Sequence, residues 1–234
     1  MIYLQQNDPF SDYCMKHLGV SSTQLNAWDK RQQDIYTNVM VSNSVTPIIT
    51  EESDKRFTQM SVFDKLLQER IMWILGPVND LMSTVVQAQL LYLSSENQKT
   101  DIKFYVDTPG GSVKSGLSII DSMHLSPCDI STINVGMAAS MGSVILGAGT
   151  KGKRLALPNS KVMLHQVSHG MEGNIQDTEI TFTESKKYNN ILFNYLGEFT
   201  GKPASTVMAD ATRDLWFNTT EAIEYGIIDE KITK

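Results

Sequence analysis

The run Ile102-Lys103-Phe104-Tyr105-Val106-Asp107-Thr108-Pro109-Gly110-Gly111-Ser112 decides how this chain folds. Apart from Lys103, Ile102 to Val106 is built of β-branched and aromatic residues and reads as a strand, which Pro109-Gly110-Gly111 turns sharply. A helix follows, ending near Leu125. The same grammar recurs downstream: Ile130 to Val135 is a strand that leads through Gly136 into a helix starting near Ser140, and Lys153 to Leu157 and Lys161 to Leu164 are further strands. Strands alternating with helices imply crossover connections, hence a largely parallel sheet and an α/β fold.

Upstream, a short amphipathic helix around Val62 to Arg70 leads into the apolar run Ile71 to Leu75, ended by Gly76-Pro77. Asn79 or Asp80 caps the next helix, with Leu81, Val85, Leu90 and Leu93 near helical period. Beyond Gln166 lies a polar, glycine-bearing stretch from Ser168 to Gly173. A long helix from about Ile175 to Phe199 then carries Tyr188, Ile191, Leu192, Tyr195 and Phe199 on one stripe, and Gly201 closes it. A helix near Ala204 to Ala211, a strand Trp216-Phe217-Asn218, a helix from Thr219 capped at Gly226 and a last strand Ile227-Ile228-Asp229 complete the pattern.

Residues 1 to about 60 differ in texture, being rich in Gln, Asn, Ser and Thr. One amphipathic helix is expected there, capped at Ser21 with Gln24 in the capping-box position and with Leu25, Trp28, Ile35 and Val39 on one face. Ser42 to Thr58 reads as a polar loop or flexible arm. The expected division is an extension over 1–44, an arm over 45–60 and a main domain over 61–234. The extension is either a docked helix or a processed leader.

The chain has 234 residues and carries 26 acidic against 20 basic side chains, a formal charge of −6. Nucleic-acid binding would show as clustered Lys and Arg, and no such cluster is present. Cys14 and Cys128 do not suggest a disulfide scaffold. The start, Met1 to Pro9, lacks the basic residues and apolar run of a secretory signal. The most apolar stretch, Ile71 to Leu93, is too interrupted to span a bilayer. A cytoplasmic protein is expected, with neither membrane nor nucleic acid as partner.

Ligands of open α/β sheets bind where strands end. Two such turns stand out, Asp107 to Ser112 and Gly136-Met137-Ala138-Ala139-Ser140-Met141-Gly142. Paired glycines let backbone N–H groups face a site without obstruction, as an oxyanion hole requires. Ser140, at a helix start between small residues, is a seat for a nucleophile, although capping is the ordinary use of a serine there. The G-x-S-x-G elbow is absent. An imidazole base must come from His17, His124, His165 or His169. His17 lies in the extension and His124 at a helix end, whereas His165 closes a strand and His169 sits in the adjoining loop. With 26 carboxylates, spacing does not select an orienting acid. There is no phosphate loop and no G-x-G-x-x-G after a strand. His165, His169 and Glu172 lack the helix or cysteine pair of a zinc site, so no metal is expected.

Several runs taken together resemble the ClpP family, the proteolytic subunits of the Clp protease. They are Leu66-Leu67-Gln68-Glu69-Arg70-Ile71, Gln87 to Leu93, Pro109-Gly110-Gly111-Ser112-Val113, Gly136 to Gly142, Gly152-Lys153-Arg154, Leu157-Pro158-Asn159-Ser160, Val162-Met163-Leu164-His165-Gln166 and Glu221 to Gly226. The resemblance covers about Val45 to Ile232. It implies a ClpP/crotonase-like α/β fold with repeated β-β-α or β-α units and a protruding helix-and-strand handle. It implies a serine endopeptidase in which Ser140 matches the nucleophile, His165 the base and Asp214 the orienting acid. The N–H groups of Gly111 and Met141 match the oxyanion hole. Substrate strands are expected between Gly111, Ser112, Val113, Lys114 and Ser168, His169, Gly170, while Arg213 matches a ring-to-ring ion-pair partner.

The resemblance further implies two stacked seven-membered rings enclosing the sites. Unfolded proteins are fed in by an ATP-driven AAA+ unfoldase such as ClpX, ClpA or ClpC, with no cofactor in this chain and the arm over 45–60 resembling the axial loop. Three departures stand out. Val167-Ser168-His169 replaces a stretch where the family usually has a proline and a further glycine, Asp107 replaces a usual Asn, and Leu125 replaces a common aromatic near the docking pocket that Tyr105 still matches. They motivate an alternative, a non-catalytic or modulatory ring subunit. An acyl-CoA enzyme on the related crotonase-like fold is a third reading, and it leaves the Ser140, His165 and Asp214 match unexplained.

Overall fold

The computed structural model describes residues 48–53, 56–168 and 174–233. The helix expected over Ser21 to Val39, and His169 to Gly173, lie outside them. The chain divides into two units, residues 1–65 and 66–234.

In the first unit, strand β1 (Ile48–Ser53) pairs antiparallel with β2 (Arg56–Ser61), in register from Ile48 opposite Ser61 to Ser53 opposite Arg56. Part of the expected polar arm is therefore a two-stranded ribbon. Such a ribbon draws its hydrogen bonds from the backbone, so a polar sequence does not exclude it. Ser61 and Asp64 then cap helix α1 (Val62–Gln68): the Asp64 N–H donates to Ser61 Oγ, and the Ser61 N–H and hydroxyl donate to Asp64 Oδ2.

The second unit is built on one sheet of seven strands. Strands β3 (Ile71–Leu75), β4 (Ile102–Thr108), β5 (Ile130–Ala139) and β6 (Arg154–Ala156) run parallel in that order, and β9 (Glu230–Lys231) adds to β6. Strand β5 is long enough to serve two neighbours. Its first half pairs with β6 (Thr132 beside Arg154) and its second half with β7, Lys161–Leu164 (Ala139 beside Met163). Strand β8 (Leu215–Asn218) runs antiparallel to β7, with Leu215 opposite Leu164.

The helices between strands are α2 (Asp80–Glu96), α3 (Val113–Leu125), α4 (Met141–Gly147), α5 (Ile175–Thr200), α6 (Ala204–Asp210) and α7 (Thr219–Tyr225). Asn79 caps α2 by accepting the Met82 N–H, and Asn218 with Glu221 forms a full capping box on α7. The core is centred on Ile74, Ile102, Phe104 and Val106, all fully buried, with Ile119, Ile120 and Ile145 against them. Strand β4 alternates as a one-sided strand should, with Lys103 and Tyr105 turned the other way.

Three expectations need correction. In α2 the buried positions are Ser83, Val86, Leu90 and Leu93, while Leu81 and Val85 are exposed at 65% and 45%. Apolar side chains surround that helix, so period alone does not choose its inner face. In α5 the buried residues are Leu192, Phe193, Leu196 and Gly197, a face rotated away from Ile191. The last strand starts at Glu230, because Ile227 and Ile228 are core residues and Asp229 is held by Arg154.

Two arginines fasten the frame. Arg70 has a left-handed backbone (φ 61°) and donates to the carbonyls of Leu93, Asn97, Thr100 and Asp101. It thereby ties the entry of β3 to the end of α2 and the start of β4. Arg154, buried in β6, binds both oxygens of Asp229 and the Phe199 carbonyl at the end of α5. Burial alone would raise the Asp229 carboxyl, but its bonds from Arg154 and from the Gly152 N–H outweigh burial and hold it below the ordinary value.

Candidate active site

The split at β5 creates the site. Ser140 follows the last residue of β5, His165 follows the last residue of β7, and Asp214 precedes the first residue of β8. Because Ala139 lies beside Met163 and Leu164 lies opposite Leu215, all three residues emerge at one end of the sheet. Continuing the β7–β8 register by one step sets His165 against Asp214.

Ser140 departs from the capping role that its position suggests. It makes no side-chain cap bond, and its backbone sits at φ 56°, ψ −124°. That conformation is costly for a residue with a Cβ and persists only where the surroundings impose it. The imposed turn leaves the Ser140 Oγ 2.7 Å from His165 Nε2, the separation a base needs to take a hydroxyl proton. On the other side of the ring, Nδ1 is 3.6 Å from Asp214 Oδ1. The Asp214 side chain is 62% exposed and His165 26%.

The glycine turn of β4 packs onto this serine. A methyl group at Gly110 would lie 2.6 Å from the Ala139 carbonyl, 2.7 Å from the Ser140 Cβ and 2.9 Å from the Met141 nitrogen, so only glycine brings the two turns together. A methyl group at Gly111 would collide with the Val78 carbonyl. Neighbouring N–H groups are committed: Gly110 donates to Thr108 Oγ1, Ser112 to the Val78 carbonyl and Ser140 to the Met163 carbonyl. Gly111 and Met141 both line the cavity beside Ser140.

That cavity holds about 180 Å³ and has a polar mouth, from Ser140 and His165 to Gln166 and Ser168, and an apolar floor of Val144, Leu164, Leu192, Phe193 and Leu196. Of the residues expected to flank a substrate strand, Gly111, Val113 and Ser168 line it. Ser112 instead caps α3, accepting from Ser115, and Lys114 is exposed on its first turn. His169 and Gly170 lie outside the described residues. Arg213 is exposed beside Asp214.

Of the α5 residues in the floor, Leu192 lies on the expected stripe and Phe193 and Leu196 do not. Leu192, Phe193 and Leu196 come from α5, more than twenty positions after His165. Asn189 of the same helix accepts the Val167 N–H at 2.9 Å and so fixes the rim. The apolar period of α5 was the available signal, and it did not say which face met the site. Among the described residues, no group of three or more His, Cys, Asp or Glu side chains gathers as metal ligands would. Among them too, no helix is long and apolar enough to cross a membrane.

The family model described as Clp protease matches residues 52–234. A protein of Porphyromonas gingivalis, named ATP-dependent Clp protease proteolytic subunit, is 42% identical over 96% of this chain and 97% of its own. A protein of the same name in Bacteroides fragilis is 41% identical over 97% of this chain and 99% of its own.

Proposed function

This chain belongs to the Clp protease family, and we propose that Ser140, His165 and Asp214 carry out its serine-type endopeptidase chemistry. It is the proteolytic subunit of an ATP-dependent protease, a hydrolase that cuts peptide bonds in unfolded proteins. The observation that carries the residue assignment is the 2.7 Å contact between Ser140 Oγ and His165 Nε2, made by a serine free of any capping bond.

In the proposed mechanism, His165 takes the Ser140 proton as Oγ attacks the scissile carbonyl, and returns it to the leaving amine. Asp214 holds the imidazole in the tautomer that leaves Nε2 able to accept. The N–H groups of Gly111 and Met141 stabilise the tetrahedral oxyanion, a role supported by their place on the cavity wall beside Ser140. Water then hydrolyses the acyl-enzyme through the same groups. The apolar floor favours an apolar side chain next to the cut bond, and substrate backbone runs along Gly111 to Lys114 and along Ser168, His169 and Gly170.

The wider reading goes with this one. The chain works as a subunit of an oligomer with an ATP-driven partner. In the finer proposal that is two stacked heptameric rings, with Arg213 at the ring contact and an AAA+ unfoldase such as ClpX, ClpA or ClpC, in the cytoplasm. Residues 1–44 are taken as an extension, 45–60 as an arm and 61–234 as the peptidase domain. Nothing among the described residues favours a non-catalytic ring subunit.

The test is direct. Purified protein with an AAA+ unfoldase should degrade an unfolded substrate, and Ser140 should react with a fluorophosphonate probe. A chain that does neither, while folded and assembled, overturns the assignment.

A further inference from the structure

Strand β5 does not run evenly beside β4. Val106 pairs with Asn134, yet Thr108, two positions on, pairs with Ala138, four positions on. The bulge falls on Val135 to Met137, directly before the residues that deliver Ser140. Bulges strip the ladder of partners and re-aim the residues that follow, so something must hold the looped strand in one conformation.

The Asp107 side chain does this. Its Oδ1 accepts the Met137 N–H at 3.0 Å on the β4 side, where the β4–β5 ladder offers Met137 no partner, while on the other side Met137 pairs with Lys161 of β7. Gly136 packs face-on against the same carboxylate: a methyl group there would lie 2.6 Å from Oδ1 and 2.8 Å from Cγ. The start of the bulge is fixed separately, since Asn134, fully buried, donates from Nδ2 to the Lys161 carbonyl and accepts the Gly136 N–H. The next residue after Asp107 serves the other wall. Thr108 donates to the Gly76 carbonyl and accepts the Gly110 N–H, and Gly110 is the glycine packed on Ser140.

We propose that Asp107 is a positioning residue for the hydrolytic reaction: as the acceptor that pins the β5 bulge, it sets the direction in which the chain reaches Ser140. The role belongs to an oxygen acceptor rather than to negative charge, because the bond is made to a neutral backbone N–H. Replacing Asp107 by Asn retains an acceptor of the same reach, and replacing it by Ala leaves the Met137 N–H unbonded. Ser140, already held at a strained φ, then loses its fixed approach to His165. Displacements of about 1 Å at a reacting centre cost roughly a hundredfold in rate.

This inference rests on Ser140 being the nucleophile, and the experiment separates the two. The assembled full-length protein is assayed on a small fluorogenic peptide, which requires no unfoldase, and by the rate of fluorophosphonate labelling. In Asp107→Ala, kcat and the labelling rate should fall about ten- to a hundredfold, with KM changed little. In Asp107→Asn both should stay near wild type. Gly136→Ala, which keeps the carboxylate but pushes it off the bulge, should lower kcat as Asp107→Ala does, and it decides the matter if Asp107→Ala fails to fold. Wild-type kcat in a folded Asp107→Ala or in Gly136→Ala overturns the proposal, as does an equal loss in Asp107→Asn and Asp107→Ala. Cleavage lost in Ser140→Ala but kept in Asp107→Ala overturns it alone. Cleavage that survives in Ser140→Ala overturns the nucleophile assignment and this proposal together.

Discussion

His165 Nδ1 and Asp214 Oδ1 stand 3.6 Å apart, just beyond hydrogen-bond reach, although the same ring is already 2.7 Å from Ser140 through Nε2. The base is thus closed on its nucleophile and open towards its acid. Asp214 lies before the first residue of an edge strand and is largely exposed, so a small shift of the segment before β8 is enough to close the gap.

In a fluorophosphonate adduct, where Oγ no longer bonds to Nε2, the His165 to Asp214 separation should contract to roughly 2.6–3.2 Å. A crystal structure of the adduct measures it. Asp214→Ala should lower kcat by roughly a hundred- to ten-thousandfold with little change in KM, since the ring loses its tautomer control. Activity within twofold of wild type would remove Asp214 from the mechanism.

The strain at Ser140 should be visible as stability. At φ 56° a Cβ is penalised and glycine is not, so Ser140→Gly should be more stable than Ser140→Ala by about 1 kcal/mol, after allowing for the greater unfolded entropy of glycine. Both variants should be inactive. Chemical denaturation of the two side by side settles it, and a Ser140→Gly variant no more stable than Ser140→Ala would argue against stored strain.

Arg70 gathers four carbonyls from α2 and the loop before β4. Arg70→Ala should destabilise the fold by about 2–4 kcal/mol, because partly buried acceptors are left unpaired. Arg70→Lys should recover little, as an ammonium cannot reproduce the planar fork. Urea midpoints of the three proteins provide the comparison.

Asp229 provides a pH signature. Its carboxyl is held below the ordinary value of 3.8, so its contribution is fully present above that pH and is lost as pH falls through the lower folded value. Asp229→Asn should therefore reduce stability near neutrality and flatten the decline in melting temperature below about pH 4. An unchanged acid limb would show that Arg154 does not govern it.

Much of this was legible in the chain itself. The strand and helix order from Ile71 onward, the caps at Asn79 or Asp80 and at Gly201, and two turns at strand ends, one with paired glycines and one leading to Ser140, follow from local rules. What failed was orientation: Leu81 and Val85 look outward, and α5 meets the cavity with Phe193 and Leu196 beside Leu192, the one member of the expected stripe that lines it. Local sequence encodes period, and a helix apolar on several sides leaves its inner face to be chosen by the neighbours it meets.

Local patterning specifies an α/β chain with a serine and a histidine each just past a strand, and motif resemblance supplied the acid. That these residues meet is a matter of strand pairing. Strand β5 serves β6 with one half and β7 with the other, so Ser140 and His165 leave neighbouring strands at the same end, and β8 returns Asp214 to them. Register and bulge are properties of paired strands: neither Asp107 nor Met137 signals, in its own stretch of chain, the hydrogen bond that joins them across the sheet.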